Sequence, residues 1–291
     1  MTWIVGTPTI CGYGFALSDI RVTLKDGREL DCLQKIYPVG RHLAAGFAGS
    51  VGIGFAMMSE LRRLTSYKDD RMACDPDAVA AQWPGCAQSI FESFPREERD
   101  LKCHLMLICA HPVAHNGNPA WPRACVMIFK SPDFIVECVP IHQLGSIGSG
   151  DAYEPCRSVV NRFMDDYKFR EILMKGESGT QGGMGTMLGI NLTTTLKEVQ
   201  PRGVSPHLHY CWVYRGRTII QANNHTEKGR WSIIPLGSGI NMSDSNATTN
   251  KSETSMPDGY TSFEMPEIAK NLDELNNILG RKGMSTVGCV A

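Results

Sequence analysis

The spacing of apolar residues in the first fifty positions is typical of short strands. Apolar runs cover residues 3–10 and 13–18, and the polar segment Lys25-Asp26-Gly27-Arg28 follows them. An Asp-Gly pair favours the backbone of a tight hairpin turn. Two more strand-like runs, QKIYPVG and HLAAGFAG, come next. The chain is therefore predicted to open with antiparallel sheet.

The apolar period changes near Ser50. The residues that recur there every three to four positions are Val51, Phe55, Met58 and Leu61. One buried helix face has this period, so a helix is predicted to start near Ser50. A second helical stretch runs from Pro76 to about Phe94, and Pro84 is expected to kink or shorten it.

The second half of the sequence again alternates strand and helix patterns. The runs CHLMLICAH, ACVMIFK and DFIVECVP predict three strands. The segment GSIGSGD then leads into helical patterns at 151–164 and 184–199, and HLHYCWVYRGRTIIQAN indicates a final hairpin that turns at Arg215-Gly216. This order predicts an α+β domain with helices on the outer faces of two sheets.

Composition divides the chain into three parts. Residues 1–236 hold the elements above and are predicted to form one domain. Residues 237–263 are rich in Ser, Thr, Asn, Asp and Gly and are predicted to be a flexible linker. Residues 264–291 contain an amphipathic helix pattern, with Pro266 near its start and Gly280 just past its end. One short helix cannot bury its apolar stripe alone, so it is expected to dock on its own domain or on a neighbouring subunit.

Charge and cysteine content limit the classes of partner and the cellular location that are expected for this protein. Lys plus Arg number 29 and Asp plus Glu number 30, which gives a net charge of −1. No overall positive field draws the chain to nucleic acid or acidic lipid, so neither is an expected partner. Eleven cysteines without a Cys-x-x-Cys pair indicate reduced thiols, and no apolar run has the length of a membrane span. A cytoplasmic location without membrane association is predicted.

Thr2 is the first candidate for chemistry. A threonine hydroxyl is a weak nucleophile, but at a chain terminus its own α-amine can accept the hydroxyl proton. An α-amine with a pKa of ~8 is partly neutral at cell pH. Thr2 directly follows Met1, and its small side chain is expected to permit removal of that methionine.

Several further stretches fit with Thr2. They are GFALSDIRVT with Asp19, QKIYPVG with Lys35, AAGFAGS with Gly49, and GSGDAY with Ser149. Together with Thr2 they resemble the proteasome β-subunit and HslV family of N-terminal nucleophile (Ntn) hydrolases. The spacings from Asp19 to Lys35 and from Lys35 to Gly49 agree with that family. The resemblance covers about residues 2–235 and implies an α+β fold, a four-layer αββα sandwich, here followed by a C-terminal tail helix.

The resemblance also implies a catalytic role for the matched residues. Lys35 would lie beside the Thr2 hydroxyl, and its positive charge would lower the proton affinity of that group. Asp19 would hold the Lys35 ammonium by a charge-assisted hydrogen bond. The Gly49 backbone N–H would face the oxyanion of a tetrahedral intermediate. Ser149 would join the polar network around the terminal amine.

Two features depart from the family's pattern. The interval from Thr2 to Asp19 is one residue longer, which places an insertion near Thr7-Pro8-Thr9. Ser205 matches the family's second auxiliary serine. The family has an aspartate a few residues before that serine, whereas this chain has Arg202-Gly203-Val204, so no carboxylate stands beside Ser205 in the sequence.

The resemblance implies a threonine-type peptidase in a ring assembly, with self-association, an unfoldase or other gating partner, and no cofactor. Two alternatives stay open. A catalytically silent ring of the same fold, with Met1 retained, would act as a structural or binding assembly; bacterial proteasome homologues that fail to cleave test peptides favour this alternative. A non-peptide amidase of the wider fold is the other. His207 and His209 alternate on a predicted strand, but the sequence offers no third metal ligand.

Overall fold

The computed structural model describes residues 2–8, 12, 14–40, 42–65, 76–114, 122–141, 143–152, 154–165, 188, 191–192, 195–196, 198–214, 217–225, 231–235 and 266–291. The strands and helices that the structure describes follow one another in the predicted order, whereas the helical pattern predicted at 184–199 lies largely outside the described residues. The prediction of mixed α and antiparallel β structure is confirmed. The predicted linker at 237–263 and the hairpin turn at Arg215-Gly216 lie outside the described residues.

Thirteen strands are described. They are β1 (Trp3–Pro8), β2 (Gly14–Asp19), β3 (Arg21–Thr23), β4 (Glu29–Asp31), β5 (Ile36–Gly40), β6 (Leu43–Gly49), β7 (Cys103–Ala114), β8 (Pro122–Lys130), β9 (Val136–Val139), β10 (Gly145–Gly148), β11 (Leu208–Tyr214), β12 (Arg217–His225) and β13 (Trp231–Pro235). A six-stranded sheet has the order β10-β1-β2-β11-β12-β13, and a five-stranded sheet has the order β5-β6-β7-β8-β9. The short strands β3 and β4 form a separate antiparallel pair.

The helices are α1 (Val51–Thr65), α2 (Pro76–Glu92), α3 (Arg96–Arg99), α4 (Glu154–Asp165) and α5 (Leu272–Arg281), with a 3-10 turn at Ser149–Ala152 before α4. Helix α1 begins directly after Ser50, as its apolar period predicts. Pro84 lies inside α2 and does not end it. No helix among the described residues has the length and apolar character needed to cross a lipid bilayer.

Three apolar clusters fill the described structure. The first takes buried side chains from both large sheets, such as Ile4 and Ala16 from one and Met106 from the other. The second joins the five-stranded sheet to α1, α2 and α5. The third joins the six-stranded sheet to α4, where Phe15 contributes to a cluster that also holds Val159. Neighbouring residues such as Phe15 and Ala16 enter different clusters because successive side chains of a strand point to opposite faces.

Helix α5 begins later than its apolar spacing predicts. It starts at Leu272 because the side chain of Asn271 accepts a hydrogen bond from the Glu274 N–H at 2.8 Å. The Glu274 carboxylate in turn accepts from the Lys270 N–H at 2.7 Å, which completes a reciprocal cap. The predictions that the helix starts near Pro266 and ends before residue 280 are therefore wrong at both boundaries.

The segment before α5 is held in an extended conformation by the main domain. Ala269 forms a parallel bridge with Leu33; its N–H donates to the Cys32 carbonyl at 2.7 Å, and its carbonyl accepts from the Gln34 N–H at 3.0 Å. These backbone bonds exclude a helical conformation at residue 269. The apolar face of α5 is buried in the second cluster through Leu275, so the helix docks on its own chain.

Candidate functional site

Thr2 lies at the start of β1 and is held through its backbone and that of its neighbour. The Trp3 N–H donates to Asp19 Oδ1 at 2.8 Å, and the Ser149 N–H donates to the Thr2 carbonyl at 2.7 Å. Strand β1 pairs with β10 so that Trp3 lies opposite Gly148. Thr2 is 1% exposed. Its hydroxyl is therefore fixed in a buried position between two strands.

The Lys35 side chain connects Thr2 with Asp19. Its Nζ atom donates to Thr2 Oγ1 at 3.0 Å and to Asp19 Oδ1 at 2.8 Å. The side chains of Lys35 and Asp19 have no solvent exposure. Lys35 directly precedes β5, whose pairing with β6 begins at Ile36 opposite Gly46. The structure thus brings together three residues that are far apart in sequence.

The Asp19 carboxylate accepts four hydrogen bonds. Oδ1 accepts from the Trp3 N–H and from Lys35 Nζ, and Oδ2 accepts from the N–H groups of Arg21 at 3.0 Å and Ser205 at 3.3 Å. A buried carboxylate is costly unless hydrogen bonds replace the water it loses. Asp19 is therefore the centre of the polar network and fixes the position of Lys35.

Burial lowers the pKa of Lys35 below its ordinary value, because the charged form loses its hydration; the charge of Asp19 and its hydrogen bond to Lys35 oppose this effect. A lysine with a lowered pKa exchanges protons with its surroundings more readily at neutral pH. The environment of Lys35 therefore suits an ammonium that stabilises, or passes a proton to, a group at Thr2 Oγ1.

Two glycines make room for the start of β1. Gly148 has a φ of +96°, and a Cβ on it would lie 2.0 Å from the Thr2 carbonyl oxygen. A Cβ on Gly150 would lie 2.1 Å from the ring of Trp3. The Gly-Ser-Gly segment noted in the sequence is thus explained by close approach to residues 2 and 3. Ser149, between the two glycines, has a buried Oγ with no hydrogen-bond partner among the described residues.

The Ser205 hydroxyl binds a carboxylate that the sequence did not indicate. Its Oγ donates to Asp31 Oδ2 at 2.8 Å. Arg21 also binds Asp31, with Nε 2.7 Å from Oδ1. Burial alone would raise the pKa of Asp31, but the hydrogen bond and charge of Arg21, with the Ser205 hydrogen bond, hold it below its usual value. Asp31 therefore occupies the place beside Ser205 where the sequence showed no acid.

Gly49 lies at the end of β6, directly before Ser50 and α1. Its φ is +115°, and a Cβ there would lie 2.4 Å from the Lys102 carbonyl oxygen. The Gly49 N–H donates to the Ala291 carbonyl at 2.7 Å, and the Ala291 N–H donates to the Gly49 carbonyl at 2.8 Å. The residue expected to bind an oxyanion is therefore paired with the closing segment of the chain.

The two strand histidines do not form a metal site with other described residues. No group of three or more His, Cys, Asp or Glu side chains is placed to hold a metal ion in the described part of the chain. His209 is 1% exposed, and neither of its ring nitrogens has a hydrogen-bond partner among the described residues. Burial, reinforced by the charges of His207 and Lys35, lowers the pKa of His209 to about 3.

His209 predicts a loss of stability on mild acidification. The unfolded chain binds a proton at this residue below a pH of about 6.5, whereas the folded chain does not bind it until about pH 3. The free energy of unfolding therefore falls as the pH is lowered through this range, by about 2 kcal/mol between pH 6.5 and 5.

His209→Leu should flatten this dependence in urea titrations. His104→Leu is the control, since burial also lowers the pKa of His104 but its ring is only half-buried. An unchanged pH dependence in His209→Leu would contradict the prediction.

Comparison with solved structures finds many similar chains. A crystal structure of eukaryotic HslV from Trypanosoma brucei is similar at 13% sequence identity and a TM-score of 0.45, and the match covers 72% of this chain and 98% of that chain. No protein-family model matches the sequence. A search of curated proteins finds no match. At this identity the similarity concerns the fold alone.

Proposed function

We propose that the protein is an amide hydrolase of the threonine peptidase type that uses Thr2 as its nucleophile after removal of Met1. The observation that carries this proposal is the contact of 3.0 Å between Lys35 Nζ and Thr2 Oγ1, in a site where Lys35 and Asp19 are fully buried. An ordinary ion pair between strands would not require a hydroxyl at this point. A buried ammonium against a hydroxyl is the arrangement that a threonine nucleophile needs.

The reaction follows from the groups around Thr2. The hydroxyl oxygen attacks the carbonyl carbon of an amide, and its proton passes to the freed α-amine of Thr2. The carbonyl oxygen becomes an oxyanion, which the Gly49 N–H would stabilise; one such donor is typically worth about 3 kcal/mol. The C–N bond then breaks, the leaving amine takes the proton, and an ester with Thr2 remains. Water attacks this ester with the same α-amine as base, and the acid is released.

Lys35 and Asp19 supply the electrostatics of this sequence. The Lys35 ammonium stabilises negative charge that develops on the Thr2 oxygen, and Asp19 keeps the ammonium within 3.0 Å of it. The Ser149 Oγ belongs to the same residue as the N–H that binds the Thr2 carbonyl, and its open hydrogen-bonding capacity suits the α-amine. Ser205 acts with Asp31 to support the far side of the Asp19 carboxylate.

The fold and the assembly form the wider part of the proposal. The three apolar clusters, one between the sheets and two between a sheet and helices, support a four-layer αββα arrangement of the Ntn type over residues 1–236. Assembly into rings, an unfoldase or gating partner, and a cytoplasmic location remain predictions of the sequence.

A catalytically silent binding assembly is the second candidate. The observation that favours it is the pairing of the Gly49 N–H with Ala291, together with the burial of Thr2. In this form the pocket would not turn over substrate, because its hydrogen-bond donor is already used. Met1 would then stay attached to Thr2.

Intact mass and covalent labelling test the proposed function. In protein purified from its native cell, we expect loss of the Met1 mass and addition of one acyl group at Thr2 by a threonine-directed β-lactone. Thr2→Ala should abolish the adduct and lower hydrolysis of an unfolded protein substrate by at least about 10³-fold. Thr2→Ser, which keeps a hydroxyl nucleophile, is the matched control and should still form the adduct. Full hydrolysis by Thr2→Ala would refute the assignment, and retention of Met1 without labelling would support the silent assembly.

A further inference from the structure

The last four residues of the sequence run between the ends of two strands, where Val290 forms isolated β-bridges with Thr23 and Ser50. We call Gly288–Ala291 the tail strand. Val290 exchanges two backbone hydrogen bonds with Thr23, each 2.9 Å long, and Ala291 exchanges two with Gly49. Thr23 ends β3, and Gly49 ends β6. The tail strand therefore lies between these two strand ends and pairs with both. We call the space between the ends of β3 and β6 the groove.

The pairing has the form in which proteins bind extended peptides. A peptide added to sheet edges gains its affinity from main-chain hydrogen bonds, and its alternate residues face different walls. Here Val290 bonds to one wall and Ala291 to the other. The Ala291 carbonyl oxygen accepts from the Gly49 N–H, which is the group that the proposed function assigns to the oxyanion.

Contacts along the tail strand fix it in this groove. The Gly288 N–H donates to Glu98 Oε1 at 3.1 Å, and the Cys289 carbonyl accepts from the Val51 N–H at 3.2 Å. The second carboxylate oxygen of Glu98 binds the Ser50 hydroxyl. Cys289 and Ala291 are buried. The tail strand is thus bound to the start of α1 as well as to the two strand ends.

We propose that the tail strand is a built-in ligand of the candidate active site, which competes with extended polypeptides from outside. The identification of the groove as a substrate site rests on the proposed function. The ligand class is an extended peptide with a small residue at the position of Ala291, whose side chain is fully buried in the second apolar cluster. Release of the tail strand frees the Gly49 N–H.

Val290→Pro is the variant that tests this proposal. Proline lacks the N–H that donates to the Thr23 carbonyl, so it weakens the pairing without shortening the chain. Val287→Pro is the matched control, since Val287 is 70% exposed and its N–H donates only to the exposed Ser285 side chain, at 3.2 Å. Both variants are made in the full chain that also carries Thr2→Ala.

The probe is a fluorescent peptide with the sequence of residues 285–291, STVGCVA, and binding is followed by anisotropy under reducing conditions. A tethered segment competes at an effective concentration of about 1 mM, so a peptide that binds the open groove at about 10 µM should bind about 100-fold more weakly when the tail strand is in place. We expect the Kd of the peptide for the Thr2→Ala chain to be about 100-fold higher than its Kd for the same chain with Val290→Pro. The chain with Val287→Pro should have the same Kd as the Thr2→Ala chain. A peptide with proline at the position of Val290 should not bind.

Equal affinity in the parent and in Val290→Pro, or no binding to a folded Val290→Pro, would overturn the proposal. Hydrogen exchange on the unaltered protein gives a second measurement in case that variant does not fold. The amide protons of Gly49, Thr23 and Val290 should be protected and should exchange together, and rapid exchange of Gly49 would overturn the proposal. Because peptide binding needs no nucleophile, failure of the β-lactone labelling and failure of this binding test are separate results.

Discussion

Replacement of Lys35 by Met should lower the free energy of unfolding by about 3–5 kcal/mol, because it leaves the Asp19 charge buried without its ionic partner. Lys35 Nζ supplies one of the four hydrogen bonds to Asp19 and the only ammonium bound to that carboxylate among the described residues. Met has a similar length and fills the same space. The variant should also lose β-lactone labelling at Thr2. The measurements are urea unfolding and intact mass.

A double-mutant cycle with Asp19→Asn shows whether the loss comes from the charge pair. Removal of both charges should cost less than the sum of the two single changes, since no uncompensated charge stays in the core. Arg63→Met serves as a control for the loss of a cation, because Arg63 binds Glu60 at the surface, where such pairs contribute about 1 kcal/mol or less. A loss below about 1 kcal/mol in Lys35→Met would contradict the description of this pair as a buried one.

Replacement of Gly49 by Ala has the second large effect. The new Cβ would lie 2.4 Å from the Lys102 carbonyl oxygen and 2.9 Å from the Cα of Cys103, and both atoms belong to the backbone. The φ of +115° is also unfavourable for alanine. We expect a loss of about 3–5 kcal/mol in the free energy of unfolding, since two neighbouring strands must shift. The Gly49 N–H would then lose its hydrogen bond to the Ala291 carbonyl.

The matched control for this change is Gly85→Ala in α2. Among the described residues, no atom outside the chain neighbours and backbone of the helix lies within 4 Å of a Cβ at Gly85, and alanine is favoured over glycine inside a helix. We expect this variant to gain about 0.5–1 kcal/mol. Chemical unfolding of the two variants under one set of conditions compares the same chemical change in two environments. Similar stabilities for the two would show that the backbone at Gly49 is not constrained as described.

Sequence reasoning succeeded where a single local pattern placed a residue. The apolar period after Ser50 predicted the start of α1, and the strand patterns of the first fifty residues predicted β2, which ends at Asp19, and β5, which begins directly after Lys35. The resemblance to a known family then predicted their contact with Thr2, and the structure brings these three side chains together. Their catalytic roles stay a prediction, because proximity alone does not demonstrate chemistry.

The partner of Ser205 could not be predicted, because it lies on a short strand far from Ser205 in the sequence. Asp31 belongs to β4, a strand of three residues that is too short for a period-two pattern. Its place is set by the hairpin with β3 and by the ion pair with Arg21. Because another strand supplies this carboxylate, the residues next to Ser205 in the sequence do not indicate it.

The closing segment shows a similar limit. The period of its apolar residues predicted a helix near residues 268–279, but a bridge to Leu33 keeps Ala269 extended, and α5 begins only after the Asn271 cap. The pairing of Val290 and Ala291 with β3 and β6 leaves no sequence pattern, since two residues cannot show a period. These features depend on backbone hydrogen bonds between distant segments, which composition does not record.

The tail strand is synthesised long after the two strands with which it pairs. Thr2, Lys35 and Gly49 leave the ribosome early, whereas Gly288 follows Gly49 by about 240 residues. At about 5–20 residues per second, synthesis of that interval takes about 12–48 s. Throughout this time the nascent chain has no strand to place between β3 and β6. Removal of the residue ahead of Thr2, which the proposed function requires, can therefore precede the synthesis of the tail strand.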